Sequence, residues 1–131
     1  MINQQSQYYH DKLAYETDSA DLFTGLNNNE KIRVIDARNQ EAYTVEHIPE
    51  AINIWHKEMT AETTRKLDSS FLYVTYCDGL GCNASTKAAL KMSELGFQVK
   101  ELLGGLDWWK RDGYATSGKA GKEGKALFCG C

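Results

Sequence analysis

Apolar positions along the chain fall into short runs with two different periods. Ile32-Arg33-Val34-Ile35-Asp36 and Phe71-Leu72-Tyr73-Val74-Thr75-Tyr76 are rich in β-branched and aromatic residues and predict buried strands. The only proline, Pro49, holds Ile48 extended and leads into Ala51-Ile52-Asn53-Ile54-Trp55, which reads as another strand, and Val99 to Leu103 is a last short one. Elsewhere the period is helical. Ala20, Leu22, Phe23 and Leu26 follow the N-cap oxygens of Thr17-Asp18-Ser19, and Ala88, Ala89, Leu90, Met92 and Leu95 precede Gly96, a natural left-handed helix end. Shorter helices are expected over Glu41 to Val45, Thr60 to Leu67 and Leu106 to Arg111, whereas the polar residues 1–9 are expected to fray. Strands that alternate with helices imply parallel strands joined by right-handed crossovers. The expected fold is therefore α/β, with helices on both faces of one sheet.

Composition narrows this little and excludes several functions. The 131 residues suffice for one domain with a real core, and no apolar run approaches the ~20 residues of a membrane span. Fifteen Lys and Arg against eighteen Asp and Glu give a formal charge of -3, with no basic stripe to bind a phosphate backbone, so neither nucleic acid nor membrane is an expected partner. The start, Met1-Ile2-Asn3-Gln4-Gln5-Ser6-Gln7, lacks the features of a signal peptide, which makes a cytoplasmic location the expectation. In a reducing compartment four cysteines read as reactive, metal-binding or inert thiols before structural disulfides.

Cys77 stands out among them. It follows the strongest strand directly, and ligands of open α/β sheets bind outside the carboxyl ends of the strands. A thiol there faces backbone N–H groups and the positive end of the next helix, both of which favour a thiolate or a persulfide anion. Gly79 and Gly81 allow positive φ, so that amides of the loop Asp78, Gly79, Leu80, Gly81, Cys82, Asn83, Ala84 and Ser85 converge on one anion. A buried strand-end cysteine without chemistry is the competing reading of position alone.

Two blocks of residues resemble the rhodanese-like family. Val34-Ile35-Asp36-Ala37-Arg38, then Glu41, Tyr43, His47-Ile48-Pro49-Glu50-Ala51 and Ile52-Asn53, looks like its early strand and HIP-type turn. Tyr76-Cys77-Asp78-Gly79 through Ala88-Ala89, then Leu95-Gly96-Phe97, Leu103-Gly104-Gly105-Leu106, Trp109 and Gly113-Tyr114, looks like its active-site loop, helix and closing segment. The resemblance spans 10–116 and leaves a flexible start, 1–9, and a Gly/Lys-rich tail, 117–131, that ends in Cys129-Gly130-Cys131. It implies a single domain with a central parallel sheet of about five strands, and a Cys77 that takes sulfur from a donor such as thiosulfate or a persulfide and passes it to a thiol or cyanide. Small sulfur compounds or a persulfide-bearing protein are the implied partners, with no metal or organic cofactor.

The loop departs from the family pattern. It is longer and lacks the arginine that usually opens the following helix, which removes a fixed charge for a sulfur oxyanion. Cys82 is placed to attack a Cys77 persulfide or to accept its sulfur, and equally to pack as an inert loop cysteine. Cys129 and Cys131 suit sulfur relay, soft-metal capture, a regulatory disulfide or no role at all, and a four-cysteine zinc site fits their spacing poorly. Asp36 and Arg38 are expected to orient the strand ends, His47 to fix a turn, and His56 with Trp55 to flank the pocket or to lie solvated in a loop. Asp78 has no evident role, because a carboxylate opposes an adjacent thiolate. Of Trp108 and Trp109, consecutive on a helix, one is expected in the core. The rival functions are a thiol redox sensor or binding module using Cys77 and Cys82, and a cysteine phosphatase or arsenate reductase, which calls for the missing arginine. A Cys-His hydrolase finds no support in three scattered histidines.

Overall fold

Five parallel strands lie in the order β1-β5-β4-β2-β3 in the computed structural model, which describes residues 3–127. They are β1 (Glu16–Thr17), β2 (Ile32–Asp36), β3 (Ile52–Asn53), β4 (Leu72–Tyr76) and β5 (Gln98–Leu102). The helices are α1 (Gln4–Tyr15), α2 (Ser19–Asn27), α3 (Gln40–Val45), α4 (Ala84–Glu94) and α5 (Gly105–Arg111), with a 3-10 turn at His56–Glu58. None of them is long and apolar enough to cross a membrane.

The α/β expectation holds, and the reason lies in β4. This strand pairs with β2 over five residues and with β5 over four, so both of its edges are satisfied and both of its faces must be covered. Side chains alternate accordingly. Val34, Val74, Tyr76 and Leu102 meet Leu22, Phe23, Leu106 and Trp109 from α2 and α5, whereas Ile35 and Tyr73 meet Ala88 and Met92 from α4. Trp109 is fully buried and donates its indole N–H to the Ala115 carbonyl at 2.9 Å, while Trp108 is 43 % exposed. Burial of each large core side chain stabilises the fold by about 1.5–3 kcal/mol.

Three segments differ from the sequence expectation. The start is not frayed throughout: Asn3 caps α1 by accepting the Ser6 N–H at 2.7 Å, although no residue of this helix is buried. The two-residue strand β1, too short to show a period, pairs with β5 and adds the sheet edge that the pattern did not reveal. Thr60 to Leu67 forms turns instead of a helix: the Thr64 N–H reaches back four residues to the Thr60 carbonyl, but the Arg65 and Leu67 N–H groups donate three residues back, to Glu62 and Thr64, so the first helical bond is not continued as a ladder. Part of the Gly/Lys-rich tail folds back as well. His47 and Ser117 exchange backbone bonds of 2.9 Å, and the Lys119 and Ala120 N–H groups donate to Thr44 and Val45.

Candidate functional site

Cys77 leaves β4 at its carboxyl end and is only 3 % exposed. Its position is set by α5. The Leu106 N–H donates to the Cys77 carbonyl at 2.9 Å and the Asp107 N–H to the Asp78 carbonyl at 2.8 Å, so two orphan donors at the start of α5 hold the loop. This contact needs a glycine at 105, where φ is 55° and a Cβ would collide with the Cys77 carbonyl.

The loop then turns back on itself. Gly81 adopts φ 88°, and the Cys82 N–H donates to the Gly79 carbonyl at 3.3 Å. Gly79 does not share the positive φ expected of it. Its lack of a side chain serves packing, since a Cβ there would sit 3.1 Å from the Asp107 Cβ. The turn brings Cys82 to a Cα–Cα distance of 6.2 Å from Cys77, within the usual range for a disulfide, and the two cysteines are joined as one. Leu80, at the tip, is 74 % exposed. Asn83 precedes α4 and makes no side-chain capping bond to it. Ala84 and Ser85 already belong to α4, and the Ser85 hydroxyl donates to Glu101 at 3.0 Å on β5, away from a free role in an anion cradle.

A polar network buttresses the same strand ends. Register pairs Asp36 with Tyr76, and both are fully buried. Asp36 Oδ1 accepts from the backbone N–H and Nε of Arg38, each at 3.0 Å, and Oδ2 accepts from an Arg38 guanidinium nitrogen and from the Tyr76 hydroxyl, each at 2.7 Å. The remaining reach of Arg38 goes to the Glu46 carbonyl at 2.6 Å and to Asp78 Oδ1 at 2.9 Å. Burial works against the Arg38 charge, but the bonds to Asp36 and Asp78 outweigh it and raise its pKa. Burial, followed by the Asp36 carboxylate, pushes the Tyr76 hydroxyl far up, so it serves as a neutral donor. Asp78 thus has a role that spacing alone could not suggest. It is the exposed end of an ion pair that ties the loop to the segment just after β2, with 72 % of its side chain open to solvent.

The sequence of residues 19–112 matches the family model for the rhodanese-like domain. The chain belongs to the rhodanese-like domain family. Among solved structures it is similar to the BH2092 protein from Bacillus halodurans, at 42 % identity and a TM-score of 0.87, over 91 % of this chain and 88 % of that one. It is also similar to a rhodanese-related protein from Thermoplasma volcanium, at 25 % identity and a TM-score of 0.68, over 79 % and 97 % of the two chains. A curated relative, the HTH-type transcriptional regulator Rv0324 of Mycobacterium tuberculosis, is 32 % identical over 83 residues. Those residues are 63 % of this chain and 36 % of the regulator, so the rhodanese-like domain matches about a third of that protein.

Within this rhodanese-like domain the other candidate residues separate. His47 is a turn residue, as expected: its ring lies 2.7 Å through Nδ1 from the Tyr43 carbonyl and stacks on the Tyr43 ring. His56 stands beside α4, where its carbonyl accepts from Lys91, and burial together with Lys87, Lys91 and Lys57 lowers its pKa. It lines neither the Cys82–Asn83 cleft nor the Arg38–Asp78 cleft on either side of the loop. Glu46 was not singled out by the sequence. Its carboxylate takes Lys110 at 2.9 Å and the Thr116 hydroxyl at 2.6 Å, bonds that lower its pKa although burial opposes them. Only the acid within the segment Thr44 to His47 hinted at it. Cys129 and Cys131 lie outside the described residues.

Proposed function

We propose that this rhodanese-like domain is a sulfurtransferase whose Cys77 carries sulfane sulfur as a persulfide. The observation that carries the reading is the clamped cysteine at the carboxyl end of the central strand, with its own carbonyl held by α5 and α4 opening six residues beyond Asp78. In the reduced protein the Cys77 thiolate attacks the outer sulfur of a donor. The donor's S–S bond breaks, its remainder leaves as sulfite or a thiolate, and Cys77 keeps one sulfur. An acceptor thiolate, or cyanide, then removes that sulfur and restores Cys77. Loop amides between residues 78 and 83, apart from that of Cys82, and the start of α4 would stabilise the persulfide anion. No cofactor enters these steps.

The donor follows from the charges. No arginine stands in the loop, and Arg38, which reaches it through Asp78, is also bonded to Asp36 and a carbonyl. A small persulfide or a protein persulfide in the cytoplasm therefore suits the site better than the dianion thiosulfate. The test is intact mass of the reduced chain carrying Cys82→Ser, which has no second loop thiol to discharge the sulfur, after brief exposure to each donor and then to cyanide. A gain of one sulfur, labile to cyanide and absent from Cys77→Ala, is the expected result; no gain from any donor would refute the transferase reading. The joined Cys77–Cys82 pair favours a second reading, a non-catalytic redox sensor, for which a reversible disulfide without sulfur uptake is the signature.

A further inference from the structure

Resting on the sulfurtransfer reading, we infer that Cys82 resolves the Cys77 persulfide within the same chain, making the domain a persulfide reductase that releases hydrogen sulfide and is reset by a dithiol. The two sulfurs are brought together by one short turn built on Gly81 and the bond from the Cys82 N–H to the Gly79 carbonyl. A thiol held this close acts at a local concentration of about millimolar or above, so it outcompetes external acceptors present at lower levels.

The step balances. The Cys82 thiolate attacks the inner sulfur of the Cys77 persulfide, forming the Cys77–Cys82 bond and breaking the bond to the outer sulfur. That sulfur leaves with the electron pair and takes up a proton as HS⁻. The sulfane sulfur is reduced, and the two cysteines are oxidised to the disulfide. A dithiol then reverses the oxidation. Cys77 is 3 % exposed, while Cys82 lies on the outer arm and is partly open, so the first thiolate of the reductant attacks the Cys82 sulfur and Cys77 leaves. The second thiol of the reductant closes its own disulfide and frees Cys82. Each cycle consumes one sulfane sulfur and one dithiol and yields one sulfide and one disulfide.

The decisive experiment is an anaerobic single turnover of the full chain carrying Cys129→Ser and Cys131→Ser, which leaves only the two loop thiols. The reduced protein, freed of reductant, receives one equivalent of glutathione persulfide or thiosulfate. Sulfide is measured by bimane trapping, and the product by intact mass and peptide mapping. The expected product is one sulfide per chain with a mapped Cys77–Cys82 disulfide and no retained sulfur. Adding Cys82→Ser should leave a persulfide on Cys77 and lower sulfide release about ten-fold or more. Equal persulfide lifetime and equal release with and without Cys82 would overturn this inference while leaving sulfurtransfer standing. Failure of both proteins to take up sulfur from either donor would overturn the transferase reading and this inference together.

Discussion

The two halves of the loop after β4 are built in opposite ways. From Cys77 to Gly79 the chain is pinned: α5 amides take the Cys77 and Asp78 carbonyls, Arg38 takes the Asp78 carboxylate, and Gly79 packs against Asp107. From Leu80 to Asn83 it is an open arm, tied through the Cys82 N–H and the Cys77–Cys82 bond, with Leu80 in solvent. A nucleophile must keep its place through a reaction cycle, and a resolving thiol must approach and withdraw. Among the described residues the restraints on the first half come from α5, Arg38 and Asp107, whereas Cys82 is tied only to Gly79 and Cys77.

Perturbing the pinned half should have the largest effect. Arg38→Met leaves the Asp36 carboxylate fully buried with one hydroxyl and a backbone amide, and is expected to cost about 3–5 kcal/mol in urea unfolding. Gly105→Ala forces a side chain into φ 55° and against the Cys77 carbonyl, for an expected loss of about 2–3 kcal/mol, with slower sulfur uptake in the mass assay as the loop shifts. A loss below ~0.5 kcal/mol for either would mean that the clamp is not what fixes Cys77.

A smaller effect is expected at the neighbouring buttress. Glu46 has a folded pKa below its unfolded one, so its bonds to Lys110 and Thr116 stabilise the fold above the ordinary carboxylate range, and that stability is lost as pH falls through the folded pKa. Glu46→Gln should cost about 1 kcal/mol at neutral pH, and the gap to the wild type should close as pH falls below about 4. A gap independent of pH would remove the charge from the explanation. The smallest effect belongs to the open arm. Leu80→Ser at a 74 % exposed position should leave stability within about 0.5 kcal/mol of the wild type, and a larger loss would show that the arm is packed.

Local pattern carried much of this fold. The β4 run ending at Cys77, the α2 and α4 spacings and the Gly104-Gly105 turn each agree with their final structure, because each is decided by short-range sterics and by one buried face. Thr60 to Leu67 misled because one helical turn forms and then tightens into bonds spanning three residues, an outcome that helical spacing does not register. At the site, Cys77 was legible from its place at a strand end, but the function of Asp78 was not. Its partner Arg38 is forty residues away, and only the parallel pairing of β2 with β4 brings them together.

The sequence by itself therefore determined the alternation of strand and helix, a cysteine at the end of the central strand and a nearby second cysteine, all properties of neighbours in the chain. Tertiary structure alone decided which carbonyls α5 holds, that Asp36, Tyr76, Arg38 and Asp78 form one network, and that the edge of the sheet is completed by Glu16–Thr17. The physical reason is that buried polar groups must find partners wherever the fold brings them, and those partners lie at separations over which a sequence pattern carries no signal.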